Sequence, residues 1–202
     1  MTVPAAHPTR GILINTALDL FAAEGVRATT VRKIEEAAGL SPGAGGMYRH
    51  FKSKDELLLA AVDAYFEEVL TFADTLPATL ELNDLRAELR EAASTFREFN
   101  ERHDALVRVM LLDGLDLPER ARARMEDAWG QGYGLYANWL RRHLGAHTDV
   151  DIEATSIQLF GSLANFHAQY KTFSRAPMNI DNDRFVDSWV EHWATFLENA
   201  SV

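Results

Sequence analysis

Six basic side chains stand between residues 27 and 54, at Arg27, Arg32, Lys33, Arg49, Lys52 and Lys54, against only two acidic ones. The surrounding chain is acidic: of its formal net charge of −10, residues 71–202 carry −8. Clustered cations of this kind suit phosphate oxygens, and an acidic remainder discourages the wrong face from sliding onto DNA. The same charges also fit a solvated surface of mixed sign. Inside the island lies SPGAGGMYRHF, Ser41 to Phe51, where a helix start meets three glycines within four residues. Serine caps free backbone N–H groups and proline suits the first helical position, whereas each glycine costs a helix interior about 1 kcal/mol relative to alanine.

Taken as a helix from Ser41, the segment sorts its residues by face. At 100° per residue Ala44, Met47 and Phe51 form a core stripe, extended backwards by Leu40. Pro42, Gly45 and Arg49 fall opposite, flanked by Gly46 and Tyr48. The outward half is therefore nearly bare and is followed by one long bidentate donor. The missing side chains at Gly43, Gly45 and Gly46 would let the backbone approach DNA at a helix N-terminus, with Arg49 reaching a guanine edge or a phosphate. Alternatively, the glycines lengthen a turn and the helix starts near Met47.

The elements that must position these groups are all helical in period, and no segment alternates like a strand. Helices are expected over 9–24, stopped by Gly25, and over 31–38, capped by Thr29 or Thr30 and stopped by Gly39. After the 41–51 segment, Ser53 to Glu56 resembles a capping box that starts a helix running to Pro77. Further helices are expected at 83–102, 104–113, 118–144, 151–175 and 182–199, separated by Gly, Pro and Asp punctuation. The reading is all-α, about nine helices: an N-terminal three-helix helix-turn-helix unit over 7–68, joined to a C-terminal helical bundle over 69–202.

Composition closes off several chemistries. The 202 residues contain no cysteine, which removes disulfides and thiol catalysis and fits a reducing cytoplasm. No apolar stretch is long enough to span a membrane, and the first ten residues do not read as a signal peptide. His143 and His147 are four apart but have Gly145 between them and no accompanying carboxylate motif, so no metal is expected. Neither a P-loop nor a nucleophile elbow is present. No cofactor and no enzymatic activity are expected.

The stretch TTVRKIEEAAGLSPGAGGMYRHFKSKDELL, with LINTALDLFAAEGVRAT before it, resembles the DNA-binding domain of TetR-type (tetracycline-repressor-like) transcriptional regulators over about residues 9–65. Against the usual pattern, Gly45 and Gly46 behave as a two-residue insertion before Met47-Tyr48, and Lys33 replaces a frequent acidic residue. The resemblance implies a cytoplasmic homodimer that binds a near-palindromic double-stranded operator and is released by a small-molecule ligand. It implies DNA contacts from Thr29 or Thr30 and Arg32 at the second helix, from Tyr48 and His50, and from Lys54 opening the fourth helix. Ser41 and Lys52 join this candidate set as polar groups of the same segment, Lys52 being as well explained by solvation.

Beyond the reader, WGQGYGLYANW at 129–139 interleaves large rings with glycines. Trp129, Tyr133, Tyr136 and Trp139 could line a cavity for an apolar or aromatic ligand, closed by Phe99 and Met110. They could equally fill an ordinary bundle core. In the last two helices, Phe166 and Tyr170, and Trp189, Trp193 and Phe196, form aromatic stripes. The resemblance implies that these pair across a two-fold axis, and burial within one subunit is the competing account. Two further functions stay open: a small-molecule-binding carrier or enzyme whose N-terminal unit does not read DNA, and a regulator that needs no ligand.

Overall fold

The computed structural model describes residues 8–145 and 148–200, with the side chains of residues 8, 75–79 and 177 excepted. Among the described residues there are eight α-helices, three single 3₁₀ turns and no strand. The helices are α1 Pro8–Glu24, α2 Val31–Ala37, α3 Lys54–Thr79, α4 Leu85–Arg102, α5 Asp104–Asp113, α6 Glu119–Leu144, α7 Ile152–Phe173 and α8 Asn182–Ala200. The 3₁₀ turns lie at Met47–Arg49, Gly114–Asp116 and Pro177–Asn179.

Short polar side chains set most helix starts by satisfying free N–H groups. The Thr30 hydroxyl accepts from the Lys33 N–H at 3.3 Å, and the Ser53 hydroxyl accepts from Glu56 at 3.1 Å. Asp84, Asp151 and Asp181 cap α4, α7 and α8 in the same way. The expected end of the seventh helix moves back to Phe173, because Ser174 turns left-handed at φ 54°. No helix among the described residues is long and apolar enough to cross a membrane.

The chain divides into two compact units. One holds the residues up to Val69 together with Asn100–Trp129, and the other holds Leu70–Phe99 and Gly130–Val202. Placing everything after residue 68 in one bundle therefore missed a return: α5 packs against α1 inside the first unit. The return is fixed by polar contacts that periodicity does not reveal. The Val26 N–H donates to the Asp113 carboxylate at 2.8 Å, and Arg27 pairs with Asp116 at 2.6 Å. Buried His103, at the start of α5, lies with its Nε2 3.1 Å from Glu68 on α3. Arg124 pairs with Asp63 at 3.0 Å and lies over the Phe66 ring.

Leu13, Ile14, Leu18, Phe21, Ile34, Met47, Phe51, Leu57 and Leu58 form the buried heart of this first unit. The second unit is built on Leu89, Trp139, Leu140, Phe160, Trp189, Val190, Trp193 and Leu197. Each such side chain contributes about 1.5–3 kcal/mol by leaving water. Arg86 on α4 reaches Glu198 at 2.6 Å and Glu191 at 3.1 Å on α8, and those two carboxylates raise its pKa further. All three side chains are more than a third exposed, so water and salt screen much of this attraction.

Candidate nucleic-acid interface

α2 ends in a Schellman motif. The Leu40 N–H reaches back to the Glu35 carbonyl at 2.8 Å and Gly39 to Glu36 at 3.1 Å, with Gly39 at φ 73°. The expected helix from Ser41 does not follow. Gly43 and Gly45 sit at φ 79° and 73°, so residues 41–46 form a turn, and helical geometry begins only at Met47, for one 3₁₀ turn. Ala44, expected inward, is exposed; Met47 and Phe51 are buried. The glycines thus supply left-handed backbone, the lengthened turn of the two readings offered by the sequence.

What holds this turn is a residue the sequence reading passed over. Glu35, 1% exposed on α2, accepts from the Gly43 N–H at 2.7 Å and from the Met47 N–H at 3.0 Å. The Gly43 amide, expected to face DNA, is therefore occupied by the protein's own carboxylate. Donation from Met47 and then Gly43 holds the Glu35 pKa below its ordinary value. A depressed carboxyl pKa stabilises the fold above the ordinary carboxyl range, and this hold is lost as pH falls through the lowered value. The available signal was the number of closely spaced backbone donors at 43–47, which require an acceptor once the turn is packed.

Gly45 has open space where a Cβ would stand, so its constraint is conformational. Gly45→Ala is expected to lower stability by about 1–2 kcal/mol, read from urea unfolding, because alanine resists this φ. Gly46 differs: its φ is −60°, and an added Cβ would meet Leu40 Cδ1 at 3.0 Å.

Around the turn, Thr30, Arg32, Ser41, Gly43, Tyr48, Arg49 and Lys52 are exposed, while Gly45, Gly46, His50 and Lys54 are half-buried. Tyr48 is 57% exposed, which rules out a packing role for its ring. Two of the expected contacts are redirected inward. Thr29 is 1% exposed and its hydroxyl donates to the Gly25 carbonyl at 2.9 Å, so it cannot reach a partner molecule. The Lys54 ammonium donates to the Val26 carbonyl and to that of Thr29 at 2.9 Å, tying the α1–α2 connection to α3. Lys33 pairs with Glu24 and Arg27 with Asp116. Among the described residues, Arg32, Arg49 and Lys52 extend without an ion pair.

In the second unit the expected ligand cluster is dispersed. Tyr136 stacks on Phe160, and Trp139 is buried with its indole N–H on Glu88 at 2.9 Å, so both are core. Phe99 is buried against Phe72, and Tyr133 is partly buried, which raises its phenol pKa. Met110 and Trp129 belong to the first unit. The second unit carries instead an open groove of about 410 Å³ along α4, α7 and α8, lined by Phe96, Leu163, Phe166 and Phe185 with Arg97 and His167. The expected dimer stripe is corrected as well. Trp189 and Trp193 are buried within the subunit, the former donating to the Leu159 carbonyl at 3.0 Å, whereas Tyr170, Phe173 and Phe196 point outward. His143 lies 2.8 Å from Glu88, and His147 falls outside the described residues. The described residues contain no cluster of three metal-ligating side chains.

Among the described residues, an all-α first unit whose second helix turns through residues 38–46 into a short third element has the helix-turn-helix arrangement, and the second unit is helical as well. Residues 13–61 match the family described as bacterial regulatory proteins, tetR family. One relative is the HTH-type transcriptional repressor KstR2 of Rhodococcus jostii (strain RHA1), 40% identical over 94 residues, 40% of this chain and 45% of that one. The chain spans less than half the length of the curated relatives it matches. Among solved structures, the fatty acid degradation regulator FadR from Bacillus halodurans shares the fold at TM-score 0.70, with 17% identity over 93% of this chain and 95% of that one. The transcriptional regulator FadR from Bacillus subtilis, in complex with stearoyl-CoA, does so at 0.67, with 16% identity over 89% and 95%.

Proposed function

We propose that the chain is a DNA-binding transcriptional repressor that acts as a homodimer and is released from a near-palindromic operator by a small-molecule ligand. The observation that carries this reading is the pairing of buried Met47 and Phe51 with exposed Tyr48 and Arg49 in one short element after a helix-turn. Core residues fix the element from behind while a phenol and a guanidinium face outward, the arrangement a major-groove reader needs. Thr30, Arg32 and Lys52 supply contacts to phosphate beside it. Tyr170, Phe173 and Phe196 on α7 and α8 offer outward apolar rings for a second copy. The groove along α4, α7 and α8 suits an effector with an apolar or aromatic body, and stearoyl-CoA, bound by the Bacillus subtilis neighbour, is a natural first probe.

Gel-shift selection from a genomic fragment library at controlled salt tests the reading. A near-palindromic fragment is expected to be retained, and Arg49→Ala to weaken its binding by about 1–3 kcal/mol, roughly five- to 150-fold, with relaxed preference at one base position. Retention without any sequence preference would remove the DNA-reading assignment. A thermal-shift screen then reports ligand binding, because a ligand of the folded state raises its stability by mass action.

A further inference from the structure

We propose that Glu35 is the positioning residue of the DNA-reading turn: from inside the protein, one carboxylate fixes both ends of the turn 43–47 that leads directly into Tyr48, Arg49 and His50. The proposal rests on the reading of that segment as the DNA contact. Its two oxygens reach different ends of the turn, one at the Gly43 amide at 2.7 Å and the other at the Met47 amide at 3.0 Å. The backbone carbonyl of the same residue holds the Leu40 amide at 2.8 Å, so α2, the turn and the 3₁₀ element meet at one side chain. The Gly46 backbone also closes on this group, since a Cβ there would lie 3.7 Å from a Glu35 oxygen.

Many readers take their register from phosphates bound at exposed backbone amides. Here the Gly43 and Met47 amides are taken by an internal anion and offer nothing to phosphate. The carboxylate adds to what buried Met47 and Phe51 fix from behind, because residues 41–46 have no helical ladder of their own. Charge-assisted bonds of this length are the strong class, and they replace that ladder.

The test uses the full chain with Glu35→Gln and Glu35→Asp, the operator fragment retained by the unaltered protein, and an unrelated duplex of equal length. Glutamine keeps the shape but turns an N–H₂ toward an amide donor, while aspartate keeps the charge but is too short to span both ends. Both variants are expected to lose about tenfold or more in operator affinity. Affinity for the unrelated duplex and the slope of binding against salt should stay unchanged, because no phosphate contact is removed. Amide hydrogen exchange at 43–47 should accelerate while α1 and α3 keep their protection.

Unchanged operator affinity, full affinity in the aspartate variant, or an equal loss on both duplexes would overturn the proposal. So would tighter binding with a steeper salt slope, which would mean that the freed amides bind phosphate. Should the unaltered protein select no fragment, the DNA reading fails by itself. Exchange at 43–47 then decides whether Glu35 holds the turn, and an unaltered rate would overturn that too.

Discussion

Phe51→Ala will lower the stability of the N-terminal unit by about 3–5 kcal/mol and abolish operator retention. The ring is 2% exposed and packs in the heart of its unit, with the Arg10 guanidinium 4.9 Å above its centre. Its truncation leaves a cavity in that buried heart, so the transfer and cavity losses add. Its backbone matters as well, since the Phe51 N–H donates to the Met47 carbonyl at 3.0 Å, beside the His50 N–H that closes the 3₁₀ turn at 2.9 Å. A typical domain holds only about 5–15 kcal/mol in reserve, so a loss of this size leaves the reader marginal. Urea unfolding gives the number, and Tyr48→Ala, a change at an exposed ring, provides the control at about 0.5 kcal/mol or less. A Phe51→Ala loss below about 1 kcal/mol would contradict the buried assignment.

The second large effect lies in the other unit. Glu88, 4% exposed on α4, accepts from the Trp139 indole at 2.9 Å and from the Leu82 amide at 3.2 Å, and lies 2.8 Å from His143 Nε2. Glu88→Ala strands the buried indole donor, at about 1–3 kcal/mol, and takes the acceptor from the part-buried Leu82 amide, for a total of about 2–4 kcal/mol. Glu88→Gln should lose only about 1 kcal/mol, because its carbonyl still accepts from the indole and only the Leu82 amide, on the other oxygen, loses its acceptor. The contrast between the two substitutions is the informative quantity. Tryptophan fluorescence during urea unfolding measures it, and equal losses would show that the hydrogen bonds contribute little beyond packing.

The sequence revealed helix positions well, because ends are local chemistry. Thr30, Gly39, Ser53 and the aspartates at 84, 151 and 181 act through groups two to four residues away, within sight of a reading along the chain. The misses all involve partners far apart in sequence. Nothing local indicates that Glu35 will meet Gly43 and Met47, nor that Asp113 will hold Val26, 87 residues earlier. Composition likewise could not divide aromatic side chains between core and surface. Trp189, Trp193 and Phe196 share a helical stripe, yet only the last points outward, since a stripe is wider than the line that meets a neighbouring helix. At the reading turn, glycine's dual use misled in a definable way, because bare backbone and left-handed backbone call for the same residue.

The inward use of Lys54, Lys33 and Arg27 bears on how such a protein would find its target. Two of the six cations in the basic island pair with carboxylates of their own chain and Lys54 is turned to backbone carbonyls, leaving Arg32, Arg49 and Lys52 to meet a polyanion. Counterion release scales with the number of phosphates engaged, so random duplex would be held weakly at ordinary ionic strength. A searcher with so loose a grip travels by repeated short encounters through solution rather than by long tracking along one strand, and it lingers only where the bases themselves fit.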